Sequence, residues 1–273
     1  MNENLSVLLV GCGKMGGAVL NGLLKRGVSP GNTRVAEPNA ETRAALAAKG
    51  VVCAADASEL ADFAPDIVFL AVKPFMIARA IGGVKPFTDK KAAVLSIIAG
   101  RKIEWFKEQL GKDAVVFRAM PNTPAAIGAG ITAVKASDGA SDAQKRAVES
   151  ILSACGEVVW LDDESQIDAV TAVSGSGPAY VFYLTEALTA AAKAAGLPDD
   201  TAEKLAKATV IGSARLMAES EESPAGLRRN VTTPNGTTAA ALDVLANGQT
   251  GFEPLMIRAV IAAKIRSEEL SQA

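Results

Sequence analysis

Six residues near the start of the chain, Gly11-Cys12-Gly13-Lys14-Met15-Gly16, set three glycines at the spacing G-x-G-x-x-G. They follow a short apolar run, Leu5 to Val10, and precede a stretch of helical spacing that ends near Arg26. In that setting the first glycine permits a tight turn, the second lets backbone approach a pyrophosphate, and the third lets helix and strand pack closely. The free N–H groups of the helix start then face phosphate. A ligand-free glycine turn is the plainer alternative, and the strand-turn-helix context favours the dinucleotide. The next apolar run, Arg34 to Glu37, ends on an acid followed by Pro38 and Asn39. Glu37 stands at about the spacing from which a carboxylate binds the adenosine ribose hydroxyls of NAD. Arg34 and Arg43 can instead meet a 2′-phosphate.

Two further segments end strands and turn toward the same crevice. Ala71-Val72-Lys73-Pro74 closes one apolar run, and Lys73 reads equally as part of the crevice rim or as a solvated lysine before a proline turn. Arg118-Ala119-Met120-Pro121-Asn122-Thr123-Pro124 closes another, its prolines stiffening the loop that carries Asn122.

The chain contains no histidine, which excludes reductases that protonate a carbonyl oxygen through a histidine acid. A lysine or tyrosine acid stays open. A protonated imine asks least of the protein, because it already carries its positive charge and needs only hydride. Two segments suit such a substrate if it also bears a carboxylate. Ser174-Gly175-Ser176-Gly177-Pro178 leads into a long helix with proline in the first turn, leaving N–H groups accessible. Asn230-Val231-Thr232-Thr233-Pro234-Asn235-Gly236-Thr237-Thr238 is a hydroxyl-rich loop running into another helix. There Thr238 suits a ring nitrogen, and Thr233 with the backbone of Gly236 and Thr237 suits a carboxylate. The first segment reads equally as an ordinary helix cap, and by spacing alone the second reads more readily as one.

These residues need a scaffold. Apolar runs at Asp66 to Val72, Ala92 to Ile98, Val115 to Met120, Ile131 to Lys135 and Val158 to Leu161 alternate with helix-length segments, as in a parallel sheet covered on both faces. Beyond Leu161 the strand signal fades into the helical segments Glu164 to Val173, Pro178 to Ala195, Asp199 to Ser220, Thr237 to Ala246 and Phe252 to Leu270. The expectation is an α/β dinucleotide-binding domain over residues 1–162 and an all-α domain over 163–273. Tyr180 to Ala195 carries so little polar surface that a partner subunit, or else neighbouring helices of the same chain, must cover it.

Composition narrows the partners. With 28 basic and 30 acidic residues, no polybasic field draws nucleic acid or an anionic membrane. The segment Ala179 to Ala195 carries Glu186 and Lys193, costly against lipid. Cys12, Cys53 and Cys155 are distant and odd in number, which suggests a reduced, cytoplasmic setting without a metal site. The start MNENLSVLLVG has no cationic lead or long apolar core, so no signal peptide is expected there.

Together the glycine motif, Ala71 to Pro74, Met120 to Pro124, Asp168-Ala169-Val170-Thr171, Ser174 to Tyr180 and Asn230 to Thr238 make the chain resemble pyrroline-5-carboxylate reductase, in order from about residue 5 to Leu270. The resemblance implies an N-terminal Rossmann domain and a C-terminal helical dimerisation domain interlocked with a second subunit. It implies a homodimer, often extended to a ring of dimers, with the active site between the nucleotide domain of one chain and the helical domain of its mate. It assigns Gly11 to Gly16 to the pyrophosphate, and Ala71 to Pro74 with Ser96 to Ala99 to the nicotinamide side. Asn230 and Glu164 fall near the cofactor, Thr238 at the reacting nitrogen and Thr233 at the carboxylate. NADPH is the family's common choice and the expected cofactor; Glu37 would repel a 2′-phosphate and keeps NADH open, while Asn39 and Arg43 are placed to offset its carboxylate. The alternatives are a β-hydroxyacid dehydrogenase, which needs a lysine where this chain has Ser174 to Pro178, and a non-catalytic NADP-sensing protein.

Overall fold

The computed structural model describes residues 5–271. The chain divides into two compact units, one running to Gly175 and taking back the stretch from Lys264 onward, the other spanning Ser176–Ala263.

The first unit is built on eight strands. In chain order they are β1 (Val7–Val10), β2 (Thr33–Ala36), β3 (Val52–Ala54), β4 (Ile67–Leu70), β5 (Ala93–Ser96), β6 (Val116–Met120), β7 (Gly130–Ala136) and β8 (Gly156–Trp160). The sheet order is β3-β2-β1-β4-β5-β6-β7-β8, so the chain reverses direction across the sheet between β1 and β4. That is the Rossmann arrangement, with its ligand crevice beyond the carboxyl ends of those two strands. One departure from an all-parallel sheet occurs: β6 and β7 pair antiparallel. Only a short 3₁₀ segment, Thr123–Ile127, joins them, and a connection that short cannot make the crossover a parallel pair requires. The short edge strand β3 was not among the expected runs.

The helices of this unit are α1 (Lys14–Lys25), α2 (Ala40–Ala47), the single turns α3 (Ile77–Ala80) and α4 (Lys85–Thr88), α5 (Ile103–Leu110), α6 (Asp142–Leu152) and α7 (Gln166–Val170). Strands β1 and β4 are buried along their whole length, and alternate residues feed two cores. Leu9, Phe69 and Leu95 pack with Leu20 and Leu23 of α1 and Ile151 of α6. Leu8, Val68 and Val94 pack on the other face with Ile77, Phe87 and Phe106. The period-2 alternation of strand side chains thus fills both faces with apolar residues and fixes the register at which the glycine loop leaves β1.

The strand signal ends at Trp160, yet the first unit continues through α7 and a π-helical turn, Thr171–Gly175. Two ties hold this segment. The Asp168 carboxylate accepts a 2.6 Å hydrogen bond from the Ser267 hydroxyl. The Arg118 Nη1 donates to Glu164 Oε1 at 2.8 Å, and the same oxygen accepts from the Ile103 amide at 2.9 Å. The Arg118 side chain is only 3% exposed. Removing one partner of such a pair strands the other charge, so Arg118→Ala is expected to destabilise the protein by about 3 kcal/mol. Urea unfolding of the two proteins checks this.

The second unit holds α8 (Gly177–Ala194), α9 (Asp199–Glu219), α10 (Pro224–Asn230), α11 (Thr237–Leu245) and most of α12 (Phe252–Leu270). α10 lies where no helix was expected, started by the Ser223 hydroxyl accepting from the Gly226 amide. The helices of the chain leave large apolar side chains open, among them Phe182, Tyr183 and Leu188 of α8, Ile211 and Leu216 of α9, and Leu255 and Ile261 of α12. Neighbouring helices of the same chain therefore do not bury the apolar face of α8. No helix among the described residues is long and apolar enough to cross a membrane.

Candidate functional site

The glycine loop leaves β1 at Gly11, whose φ of +90° is a left-handed conformation that favours glycine. A Cβ at Gly11 would sit 2.8 Å from Val72 Cγ1, and one at Gly16 would strike the Gly11 carbonyl oxygen. Both glycines are needed to let α1 close on the strand ends. Gly13 differs: a Cβ there would meet nothing within 4 Å. The protein itself does not require a glycine at that place, whereas a ligand backing onto the peptide does. Gly13 is the N-cap of α1, no side chain caps that helix, and Gly13 and Lys14 are exposed while Cys12 and Met15 are half-buried. The loop therefore presents uncapped N–H donors and one ammonium, the inventory that suits a pyrophosphate.

The other expected residues of this unit gather around the loop to different degrees. Ala71 and Val72 close against Gly11 and Gly16. The Glu37 carboxylate accepts from the Cys12 amide at 2.8 Å and the Asn39 amide at 2.9 Å. The Asn39 side chain caps α2 by accepting from the Thr42 amide, and the Arg43 guanidinium donates to the carbonyls of Glu37 and Pro38, each at 2.7 Å. Lys73 and Pro74 are exposed, with Lys73 Nζ 5.9 Å from the Phe75 ring centre. Ala99 is exposed after β5. Asn122 Oδ1 accepts from the Ile131 amide at 3.0 Å, which pins the loop after β6. Glu164 holds Arg118 and the start of α5, as described above.

Beside the loop lies a cavity of about 210 Å³ lined by Val10, Ala36, Pro38 and Val72 together with Asp56, Met76 and Arg79. The last three escaped the sequence reading. Asp56 begins a capping box with Glu59, the one local signal that marked its turn. Hydrogen bonds from the Ser58 hydroxyl and amide hold its carboxyl below the usual range.

Cys12 is the titratable group most affected by the loop. Burial, followed by the negative charge of Glu37, pushes its thiol up to about 11. The thiol is therefore protonated at neutral pH and a poor nucleophile. Iodoacetamide at pH 8 is expected to label Cys12 far more slowly than free glutathione, read by peptide mass spectrometry.

In the helical unit, α8 starts at Ser176 and α11 at Gly236, and neither start is capped by a side chain. Asn235, at φ 60°, turns the chain into α11, and the Gly236 amide donates to the Thr233 carbonyl at 3.0 Å. Thr238 and Gly236 are half-buried, while Thr233 and Thr237 are exposed. Asn230 Nδ2 donates to both oxygens of Glu222. Ser174 donates back to the Val170 carbonyl at 3.1 Å, and Gly175 packs on Met120. The π-helical turn Thr171–Gly175 runs almost directly into α8, and Pro178 brings no N–H to its first turn, so the start of α11 is the more open of the two.

The sequence of the helical segment decides the family. Residues 164–270 match the model of pyrroline-5-carboxylate reductase dimerisation. The pyrroline-5-carboxylate reductase of Pseudomonas aeruginosa is 40% identical over 97% of both chains. The chain belongs to the pyrroline-5-carboxylate reductase family. Residues 6–100 match the model of NADP oxidoreductases that are coenzyme F420-dependent. The pyrroline-5-carboxylate reductase structure from Coxiella burnetii superposes with a TM-score of 0.93 at 37% identity, covering 99% of this chain and 100% of that one. The Plasmodium falciparum enzyme, solved with NADP bound, gives 0.81 at 27% identity, covering 98% and 99%. Membership gives a meaning to the uncovered apolar faces of the helical unit: they belong to the segment matched by the dimerisation model, and patches of this kind mark protein interfaces.

Proposed function

We propose that this chain reduces 1-pyrroline-5-carboxylate to L-proline with hydride from NAD(P)H, the last step of proline biosynthesis. The near full-length identity to pyrroline-5-carboxylate reductases carries the reading, and the open space at Gly13 fits the cofactor. Residues 1–162 serve the dinucleotide, and residues 163–273 serve dimerisation and the substrate. When bound, the nicotinamide supplies hydride to the imine carbon. The loop from Gly11 to Gly16 holds the pyrophosphate, with Ala71, Val72, Lys73, Pro74, Ala99 and Asn122 toward the nicotinamide and Glu37, Pro38 and Asn39 toward the adenosine. Glu164 and Asn230 complete the cofactor set.

On the substrate side, the Thr238 hydroxyl oxygen accepts a hydrogen bond from the N–H of the protonated imine. The starts of α8 and α11, with Ser174, Gly175, Ser176, Gly177, Thr233, Gly236 and Thr237, hold the carboxylate. No residue has to protonate an oxygen, which agrees with the absence of histidine. Catalysis is positioning: holding donor and acceptor in reactive geometry contributes the main part of the barrier reduction. The protein is cytoplasmic, and its dimers assemble further into rings, with substrate groups of one copy serving the cofactor cradle of another.

The test is spectrophotometric. Oxidation of NADPH and NADH at 340 nm, a general property of the reduced nicotinamide, is followed with and without pyrroline-5-carboxylate. Imine-dependent turnover is expected with at least one cofactor, and its absence with both removes the proposal. A rise in melting temperature on adding proline is the companion result expected of an enzyme and not of a dinucleotide sensor.

A further inference from the structure

The carboxylate of Glu37 is a fixed charge. Its two oxygens are pinned by different backbone amides, Cys12 on the glycine loop and Asn39 at the start of α2. It is held at the end of β2, directly against the cradle that receives the pyrophosphate. Arg34 and Arg43 do not offset it by ion pairing. Arg43 spends Nη1 on the carbonyls of Glu37 and Pro38. Arg34 leans on Asp62 at 3.6 Å and over the Phe63 ring at 4.9 Å. Among the described residues, Glu37 takes part in no ion pair. The carboxylate lies against the loop itself, its Oε2 2.8 Å from the Cys12 amide nitrogen.

An adenosine ribose with a free 2′-hydroxyl offers O–H donors to such a carboxylate, and each donor finds an acceptor. A 2′-phosphate offers only acceptor oxygens and about −1.5 to −2 charges at neutral pH. Resting on the reading of the chain as a nicotinamide-dependent reductase, we propose that Glu37 sets cofactor choice. The adenosine site binds NADH more tightly than NADPH, and NADP use is retained at a penalty in affinity.

Binding, rather than turnover, tests this. Calorimetric titration of the full-length protein with NADH and NADPH, and with ADP-ribose and its 2′-phosphate, isolates the adenosine end from substrate and chemistry. The expected preference for the forms lacking the 2′-phosphate is about tenfold, the scale of a like charge held nearby in partly screened surroundings. Glu37→Gln keeps an acceptor oxygen without the charge and is expected to erase that preference. Glu37→Ser removes both anchors as well, and is expected to shift the preference further toward NADPH. Should the variants fail to fold, salt dependence of the wild type decides. Raising it from about 0.05 M to about 0.5 M screens exposed charges and is expected to narrow the NADPH-to-NADH Kd ratio.

Equal or tighter binding of NADPH by the wild type overturns the proposal while leaving the reductase reading standing. A ratio untouched by both Glu37→Gln and salt does the same. Failure of all four ligands to bind overturns the dinucleotide reading, and this inference falls with it.

Discussion

Replacing Thr238 by alanine is expected to lower kcat by about 10²-fold, the usual cost of removing one hydrogen-bonding group aimed at a reacting centre, while the Kd for NADP(H) stays within about twofold. Thr238 sits in the first turn of α11, after a glycine N-cap that has no side-chain bond of its own. Threonines deeper in helices turn their hydroxyls back onto the carbonyl four residues earlier, as Thr185 and Thr189 do. The residues before Thr238 form a turn rather than a helix, so its hydroxyl is left for another partner. In the proposed site that partner is the imine nitrogen. Thr238→Ser, which keeps the hydroxyl, should retain most of kcat, whereas a role in shape alone would leave serine and alanine alike. Steady-state kinetics of the three proteins, with cofactor titrations alongside, separates the outcomes.

The second large effect separates two glycines of one loop, three positions apart in sequence. Gly13→Ala adds a methyl group into open space at a backbone φ of −70° that alanine adopts freely. Its melting temperature should match the wild type. Its Kd for NADP(H) should rise on the order of tenfold to a hundredfold, because the methyl stands where backbone meets pyrophosphate. Gly16→Ala drives its methyl into the Gly11 carbonyl oxygen and against Ala71. It should lose stability by about 1–3 kcal/mol as well as cofactor, the cost of overpacking a closed contact. Thermal melts and calorimetric titrations on both variants test the pair. A Gly13→Ala protein that binds NADP(H) normally would show that the loop does not cradle the cofactor.

How far the sequence could be read depended on range. The glycine motif was legible because three small residues, a buried strand before them and an amphipathic helix after them are all local. The continuous apolar runs of β1, β4 and β5 were legible for the same reason. The edge strand Val52–Ala54 was not: it has three residues, and Val52 is 46% exposed, so neither an apolar run nor a clear alternation marks it. The antiparallel turn of β7 depended on the conformation of Thr123–Ile127, which two prolines read only as a stiff loop. α10 is a seven-residue helix whose Pro-Ala-Gly start resembles a break.

In the candidate site, Glu37 was placed from spacing alone, but its pinning by the Cys12 and Asn39 amides is a product of β2 reaching the loop after β1. Arg118 and Glu164 are 46 residues apart, and nothing in either neighbourhood announces the pair. The cavity wall of Asp56, Met76 and Arg79 comes from two connections whose own sequences read as turns. Conversely, hydroxyls near Ser174 and Thr238 were legible as residue types, while the π-helical turn that leads into α8 and the lack of a side-chain cap on α11 appear only in three dimensions.

In the proposed reaction hydride passes from the nicotinamide to the imine carbon, and isotope transfer measures that step directly. With NADPH or NADH carrying deuterium at the transferring C4 position, the product formed from pyrroline-5-carboxylate is analysed by mass spectrometry and NMR. One deuterium on Cδ of proline, the ring carbon beside nitrogen that bears no carboxylate, is the predicted result. Proline without the label at that carbon, or dideuterated cofactor left unconsumed beside unreacted imine, would contradict the account.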